Sequence, residues 1–365
     1  MNRAVKCRIE PNKEQKELLE KTFGCCRFLY NRMLSDRIAG DVTGEPVRPR
    51  PAMYKKEFPW LKEVDSLALC NVQLDLEGAF RNYYTRPETG YPRYKSKHHS
   101  RRSYTTNVVN GNIRIEGKRL RLPKVGKVRI RVHRNIPGGW KLRSVTVSMD
   151  PSGKYYASLL YAVPESENQT SGTGRGKRYL GIDYAMNGLA VFSDGTRAEY
   201  PRYFRQAEER LGREQRKLSH CVKGSRNYEK QKKRVAVIHE KVKNQRKDYL
   251  HKLSRALAGE YDVIGVEDID MKAMSRSLHF GKSVMDNGYG MLRSMLEYKL
   301  DERGGELVKV DRFFPSSKRC SSCGRIRKDL TLGDRVYRCG CGNVMDRDVN
   351  AAINIRQEVM RLKDS

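Results

Sequence analysis

Three short acidic segments and one run of cysteines are the places where this chain could do chemistry. Gly181-Ile182-Asp183-Tyr184 closes one apolar stretch, and Val263-Ile264-Gly265-Val266-Glu267-Asp268 closes another. Asp346-Arg347-Asp348-Val349-Asn350-Ala351-Ala352 opens a helical run near the C-terminus. Carboxylates at strand ends and at a helix N-terminus can meet at one edge of a sheet, where they cannot all stay ionised without cations. A pair of Mg²⁺ ions held there would clamp the attacking water and the leaving 3′ oxygen of an in-line phosphodiester displacement. Taken singly, each acid also reads as a turn former or a helix cap, because Asp is common in both places. Asp346 could cap the last helix, which would leave Asp348 to turn inward. Asp268 and Asp270 read as surface or supporting residues.

The cysteines point to a second metal. Cys320-Ser321-Ser322-Cys323 is followed after fifteen residues by Cys339-Gly340-Cys341, and each pair runs into a glycine, Gly324 or Gly342. Glycine permits the turn that aims two sulfurs at one ion, and four thiolates in tetrahedral array suit one structural Zn²⁺. No ligand position would remain for water, which argues against a catalytic zinc. The second pair is C-x-C, a tighter knuckle than C-x-x-C. Basic residues crowd the ribbon: Lys318, Arg319, Arg325, Arg327, Lys328, Arg335 and Arg338. The other cysteines, Cys7, Cys25, Cys26, Cys70 and Cys221, lack ligand-like spacing and read as ordinary thiols.

Charge narrows the class of partner. Over 365 residues, 74 Lys and Arg face 43 Asp and Glu, a formal net charge of +31. Such a chain repels itself unless a polyanion shares the structure, so nucleic acid is the expected partner. The bases are spread along the chain and not gathered beside one apolar stripe, which argues against a membrane surface. There is no apolar run of membrane-spanning length, and Met1 to Arg8 lacks the apolar core of a secretory signal. Clustered cysteines in an odd total of nine fit a reducing compartment. A cytoplasmic, nucleoid-associated protein of a prokaryote is expected.

The elements that must position these groups follow from hydrophobic period. Ala4–Ile9 reads as a strand, and the stripe Leu18, Leu19, Thr22, Phe23, Cys26, Leu29, Tyr30, Met33 as a helix. A loop is expected from Gly40 to Pro51, and a second helix from Asp65 to Tyr84. Gly90 to Arg102 interleaves aromatics with bases, as a nucleic-acid contact or a solvated basic loop would. Period two from Asn112 to Val163 predicts a small antiparallel β unit, including a hairpin across Asp150-Pro151-Ser152-Gly153. The first strand may complete that unit, making the helices an insertion. Residues Glu165–Arg178 read as a linker. Beyond it come strands Tyr179–Ala185, Leu189–Ser193 and Thr196–Tyr200, then a long helical tract from Arg202 to Leu257. Strand Asp262–Glu267, a helix near Met291–Arg303 and strand Glu306–Val310 complete the order expected of an RNase H-like fold.

Together these features resemble TnpB, the transposon-encoded RNA-guided nuclease related to type V CRISPR effectors. The likeness also covers Thr22 to Asn31, Phe58-Pro59-Trp60-Leu61 and Gly90-Tyr91-Pro92-Arg93-Tyr94-Lys95-Ser96-Lys97, and so nearly the whole chain. It implies an α/β multidomain protein: a wedge β-barrel (1–10 and 98–175) with an inserted helical recognition domain (11–97). An RNase H-like RuvC nuclease (176–311 and 345–365) would follow, interrupted by a zinc ribbon target-strand module (312–344). It implies Asp183, Glu267 and Asp348 as ligands of two Mg²⁺ ions, because the family's third motif centres on the Asp two residues before Asn350. Arg335 becomes a candidate contact to the scissile phosphate. It further implies a guide RNA from the transposon end, double-stranded target DNA beside a short protein-read motif, and a possible transposase from the same element. An RNA-guided repressor without cleavage, a DNA-joining transposase and a zinc-ribbon binding module are the rival readings. All three acids are present, which favours cleavage.

Overall fold

The computed structural model describes residues 2–45, 47–164, 176–185, 188–271, 286, 288–331 and 333–364. The chain divides into two compact units, Met1–Glu167 and Asn168–Ser365. Most of the expected linker, residues 165–175, lies outside the described residues.

In the first unit, strand β1 (Asn2–Glu10) leads into helix α1 (Lys13–Thr43). Asn12 and Gln15 start α1 with a reciprocal capping box, each side chain bonding the other's backbone N–H. The helix continues ten residues past Met33, so the loop expected from Gly40 begins only after Thr43. Gly44, at φ 76°, ends it in the left-handed conformation. Helix α2 (Pro51–Glu57) and a 3₁₀ turn (Pro59–Glu63) precede α3 (Ser66–Thr85), which Asp65 caps through the Leu67 N–H. Six further strands follow: β2 (Arg102–Asn107), β3 (Arg114–Glu116), β4 (Arg119–Leu122), β5 (Gly126–Arg131), β6 (Lys141–Met149) and β7 (Tyr155–Ala162). All pair antiparallel in the order β2-β6-β7-β1-β5-β4-β3. The N-terminal strand therefore sits mid-sheet between β7 and β5, and the helices α1 to α3 are an insertion after it.

Contacts within this unit explain two of the motif segments. Phe28 packs edge-on to Phe58 and Trp60 at 4.8 and 4.9 Å. Asn31 clamps the backbone of Lys95, accepting its N–H at 2.7 Å and donating to its carbonyl at 2.9 Å. The Lys95 ammonium then lies 3.9 Å from the Tyr30 ring centroid. Tyr91 packs on Phe80 and Tyr83. Much of the aromatic–basic segment is thus engaged internally, whereas Tyr94 stays 57% exposed.

The second unit centres on a mixed sheet of β8 (Tyr179–Tyr184), β9 (Ala190–Phe192), β10 (Arg197–Ala198), β11 (Val263–Glu267) and β12 (Glu306–Val310). The order is β10-β9-β8-β11-β12, with β9 antiparallel to both neighbours and β8, β11 and β12 parallel. That is the RNase H-like arrangement the element order predicts. The helical tract between β10 and β11 is two helices, α4 (Tyr203–Ser219) and α5 (Arg226–Glu260), and not one. Gly224, at φ 85°, makes the break, and the Ser225 hydroxyl caps α5 by accepting the Tyr228 N–H. Helix α6 (Tyr289–Asp301) precedes β12. The ribbon hairpin β13 (Val336–Arg338) and β14 (Val344–Asp346) runs directly into the last helix, α7 (Arg347–Asp364).

Helix α7 lies against the sheet at two glycines. A β-carbon on Gly181 would stand 2.0 Å from the Ala352 carbonyl oxygen, and one on Gly265 would stand 2.6 Å from Val359 Cγ2. Backbone cannot yield as a flexible side chain can, so the first contact is the stricter. Gly181→Ala is expected to cost about 3 kcal/mol, at the upper end of overpacking penalties. Gly24→Ala, in open space within α1, should be neutral or stabilise by about 0.5–1 kcal/mol. Thermal unfolding of the two variants beside the parent checks both signs.

Candidate metal centres

The strand register sets two of the acids side by side. Ile182 pairs with Val266 across the parallel β8–β11 ladder, and Asp183 and Glu267 are the next residues on each strand. The third acid arrives on α7. Ala352 lies over Gly181, and Asp348 is one helical turn earlier, toward the strand ends that carry Asp183 and Glu267. All three side chains are partly buried.

Their electrostatics register this proximity. Burial pushes the Asp183 carboxyl well above its ordinary range, and the like charges of Glu267 and Asp348 add to the rise. The Arg347 guanidinium and the Tyr184 N–H pull in the other direction. Burial also raises Glu267, against a hydrogen bond donated by the Ser316 hydroxyl. Partly buried carboxylates brought together at one edge form a donor set suited to hard divalent cations.

Geometry decides between the two acids of the last motif. Asp346 Oδ1 accepts the N–H groups of Asp348 and Val349 at 3.0 and 3.1 Å, and its Oδ2 lies 2.7 Å from Arg197 Nη2. Asp346 is the helix cap, already satisfied on both oxygens. Asp348 is the acid that Asp183 feels. Asp268 sits between Arg293 and Arg312 at 3.7 and 3.8 Å, in a supporting position. Asp286 is buried too, but it accepts from Tyr200 and the Phe204 N–H and faces Arg246, so its charge is matched by protein.

Two further groups lie near the acids. Tyr289 is buried against Tyr184, with ring centroids 4.8 Å apart. Burial, with Asp183 and Glu267 nearby, drives its hydroxyl far above the ordinary tyrosine range. Arg347 reaches Asp348 at 3.4 Å and donates to the Thr331 carbonyl at 3.1 Å. Its Asp-Arg-Asp setting was the only sequence hint. Arg335 is exposed at the foot of the ribbon hairpin, and its carbonyl accepts the Arg347 N–H at 2.9 Å.

The four ribbon cysteines converge. Their sulfurs all lie within 4.8 Å of one another, with Cys320–Cys341 at 3.7 Å and Cys323–Cys339 at 3.6 Å. A tetrahedron with metal–sulfur bonds of about 2.3 Å has edges of roughly 3.8 Å, so the cage has the dimensions of a Zn²⁺ site. Gly324 and Gly342, at φ 76° and 92°, make the knuckle turns, and their N–H groups bond back to Cys320 and Cys339. Burial of Cys320 opposes ionisation, yet the N–H groups of Cys323 and Ser322 and the Asn343 amide hold its thiol down to about 6. The Asn343 N–H favours the Cys341 thiolate, but the neighbouring cysteines push that thiol up to about 11. Four thiolates so close need a cation among them. Lys318, Arg325, Lys328, Arg335 and Arg338 are exposed around the cage, while Arg327 is paired with Asp329.

An RNase H-like sheet with acids at its parallel strand ends, joined to a cysteine ribbon that feeds the last helix, defines a nuclease-type core. Residues 158–278 match the OrfB family of IS605 elements, described as "Probable transposase". Residues 289–355 match the Cas12f1-like TNB domain, and 1–39 a helix-turn-helix family. The last of these segments folds here as strand β1 and the greater part of the single helix α1. A Streptomyces pristinaespiralis protein named "Putative RNA-guided DNA endonuclease" is 36% identical over 97% of this chain and 89% of its own length. InsQ of Escherichia coli K12, carrying the same description, is 32% identical over 96% of this chain and 91% of its own. The cryo-EM structure of a Cas12f1–sgRNA–target DNA complex shares the fold, with a TM-score of 0.61 at 12% identity over 98% of each chain. The chain belongs to the TnpB (OrfB) family.

Replacing Cys320 or Cys339 by Ser is expected to reduce bound zinc from about one equivalent per chain to well below half, since three thiolates leave the cage open. Elemental analysis of the purified variants checks it. A full equivalent retained would contradict the assignment.

Proposed function

We propose that the protein is an RNA-guided DNA endonuclease, and that Asp183, Glu267 and Asp348 hold the divalent cations at which DNA is cut. The observation that carries this reading is the meeting of three partly buried acids from β8, β11 and α7 at one sheet edge, with burial raising Asp183 and Glu267 and one guanidinium, Arg347, beside Asp348. Mg²⁺ ions bound there would activate the attacking water and steady the leaving 3′ oxygen. The protein's own part is to hold the oxygens in place. Asp346 spends its carboxylate on capping α7, which leaves Asp348 for the cleft. Arg347 offsets part of the acidic charge. Arg335, exposed beside the hairpin that feeds α7, is the proposed contact to the scissile phosphate. The zinc ribbon presents its exposed bases to a DNA strand.

The same reading assigns the seven-stranded sheet to a wedge barrel and helices α1 to α3 to the recognition domain. A guide RNA from the transposon end would select double-stranded DNA by pairing, and the basic surfaces would hold the heteroduplex by its backbone. The +31 charge supports a large polyanionic partner. The named relatives support the RNA-guided reading. A transposase encoded by the same element remains the proposed protein partner. Among the described residues, no helix is long and apolar enough to cross a membrane.

Each of Asp183→Ala, Glu267→Ala and Asp348→Ala is expected to lower cleavage at least a thousandfold, about 4 kcal/mol in the barrier, while guide and target binding stay within a few-fold. Plasmid cleavage by the guide-loaded protein, paired with gel-shift titrations, separates the two effects. EDTA should silence the parent, and added Mg²⁺ restore it. Arg335→Ala should slow cleavage by ten- to a hundredfold at unchanged target affinity. Cleavage that survives loss of any one acid refutes the reading.

A further inference from the structure

Glu267 accepts a hydrogen bond from a side-chain hydroxyl. The donor is Ser316, whose Oγ bonds Glu267 Oε1 from 49 residues further along the chain. Ser316 is 4% exposed and lies in the segment that leaves β12 for the first cysteine knuckle. Its position is fixed from the other side by α7. The Asn354 amide donates to the Ser316 carbonyl at 2.7 Å and to the Arg319 carbonyl at 2.6 Å. One turn earlier, Asn350 donates to the Arg319 carbonyl at 2.7 Å and accepts the Ser321 N–H at 3.0 Å. One turn later, Gln357 donates to the Ser321 carbonyl at 2.9 Å. Asn350 and Asn354 are 0% and 1% exposed. Three amides at helical spacing on the helix that carries Asp348 thus grip the backbone from Ser316 to Ser321, immediately before and after Cys320.

We infer that Ser316 is a positioning residue for Glu267, and that through it the root of the cysteine ribbon sets the geometry of the acidic cation site. A glutamate has three side-chain torsions, and an unrestrained carboxylate at a strand end would sample several orientations. Binding Oε1 with a hydroxyl restricts those orientations and would leave Oε2 for a cation. Partners of this kind orient a ligand and commonly contribute ten- to a hundredfold in metal affinity. The amide ladder explains why Ser316 itself is rigid: its carbonyl is held by the same helix whose first turn supplies Asp348. Glu267 and Asp348 are therefore aligned by one piece of backbone, which is also the first arm of the zinc cage.

The inference rests on the carboxylates being a cation site, so the test reads cation binding directly. Full-length protein stripped of nucleic acid is titrated with Mn²⁺, and free Mn²⁺ is followed by electron paramagnetic resonance, with Asp183→Ala as the background. Ser316→Ala is expected to weaken site-specific Mn²⁺ binding about tenfold, with zinc content and melting temperature close to the parent. Ser316→Thr and Ser316→Val differ only in the hydroxyl, so they decide the matter even if the alanine variant folds poorly: Thr should bind within about threefold of the parent, and Val as weakly as Ala. In the cleavage assay, Ser316→Val should need about tenfold more Mg²⁺ for half-maximal rate and recover most of its rate at saturation. Equal Mn²⁺ affinity in the Thr and Val variants overturns the positioning role and leaves the acidic site standing. A parent that binds no more Mn²⁺ than Asp183→Ala overturns both.

Discussion

The close approach of α7 to the sheet is the constraint on which the second unit depends. A helix normally packs on a sheet through its side chains, at about 10 Å. At Gly181 the distance is short enough that a single added methyl would meet the Ala352 carbonyl at 2.0 Å. The sequence places Asp348 more than 160 residues after Asp183, and no local interaction could hold the two together. Lodging α7 in the trough made by Gly181 and Gly265 does so, because the helix then points its first turn at the strand ends where Asp183 and Glu267 emerge. The ribbon hairpin, continuous with α7 through Asp346, is carried to the same edge by the same contact.

Two clusters of metal-ligating residue types, one of acids and one of cysteines, are built into this unit. Burial raises Asp183 and Glu267, and Asp183 also feels the charges of Glu267 and Asp348; the four cysteine sulfurs crowd within 4.8 Å. The contrast with Asp286 is instructive. That acid is more deeply buried but is met by Arg246, Tyr200 and a backbone N–H, so nothing about it asks for an ion. Burial alone does not mark a candidate metal ligand; acids of like charge brought together at one edge do. A hard oxygen set and a soft sulfur set suit different metals.

The parts of this architecture legible in the sequence are those with a local period or a fixed spacing. Apolar strands ending in Asp183 and Glu267, the two cysteine pairs and the strand–helix order that gives an RNase H-like sheet all fall in that group. Asp346 and Asp348 could be told apart only by the family pattern until the capping bonds and the Arg197 contact were seen. The break at Gly224 was hidden because α4 and α5 carry similar charged, helix-favouring sequence on both sides of it. The extension of α1 to Thr43 was missed because Gly40 reads as a loop residue, whereas it sits inside the helix where the returning chain, at Glu45 and Val47, leaves no room for a β-carbon. Ser316 and Tyr289 act through contacts made by distant segments, and no spacing in the chain announces them.

Anomalous diffraction from crystals grown with Mn²⁺ is the most direct measurement of the central claim. The account predicts anomalous peaks about 2.1 Å from carboxylate oxygens of Asp183, Glu267 and Asp348, with Asp346 outside the coordination sphere. Peaks confined to Asp268, Asp346 or other surface acids, with the three strand-end and helix-end carboxylates bare at saturating Mn²⁺, would contradict it.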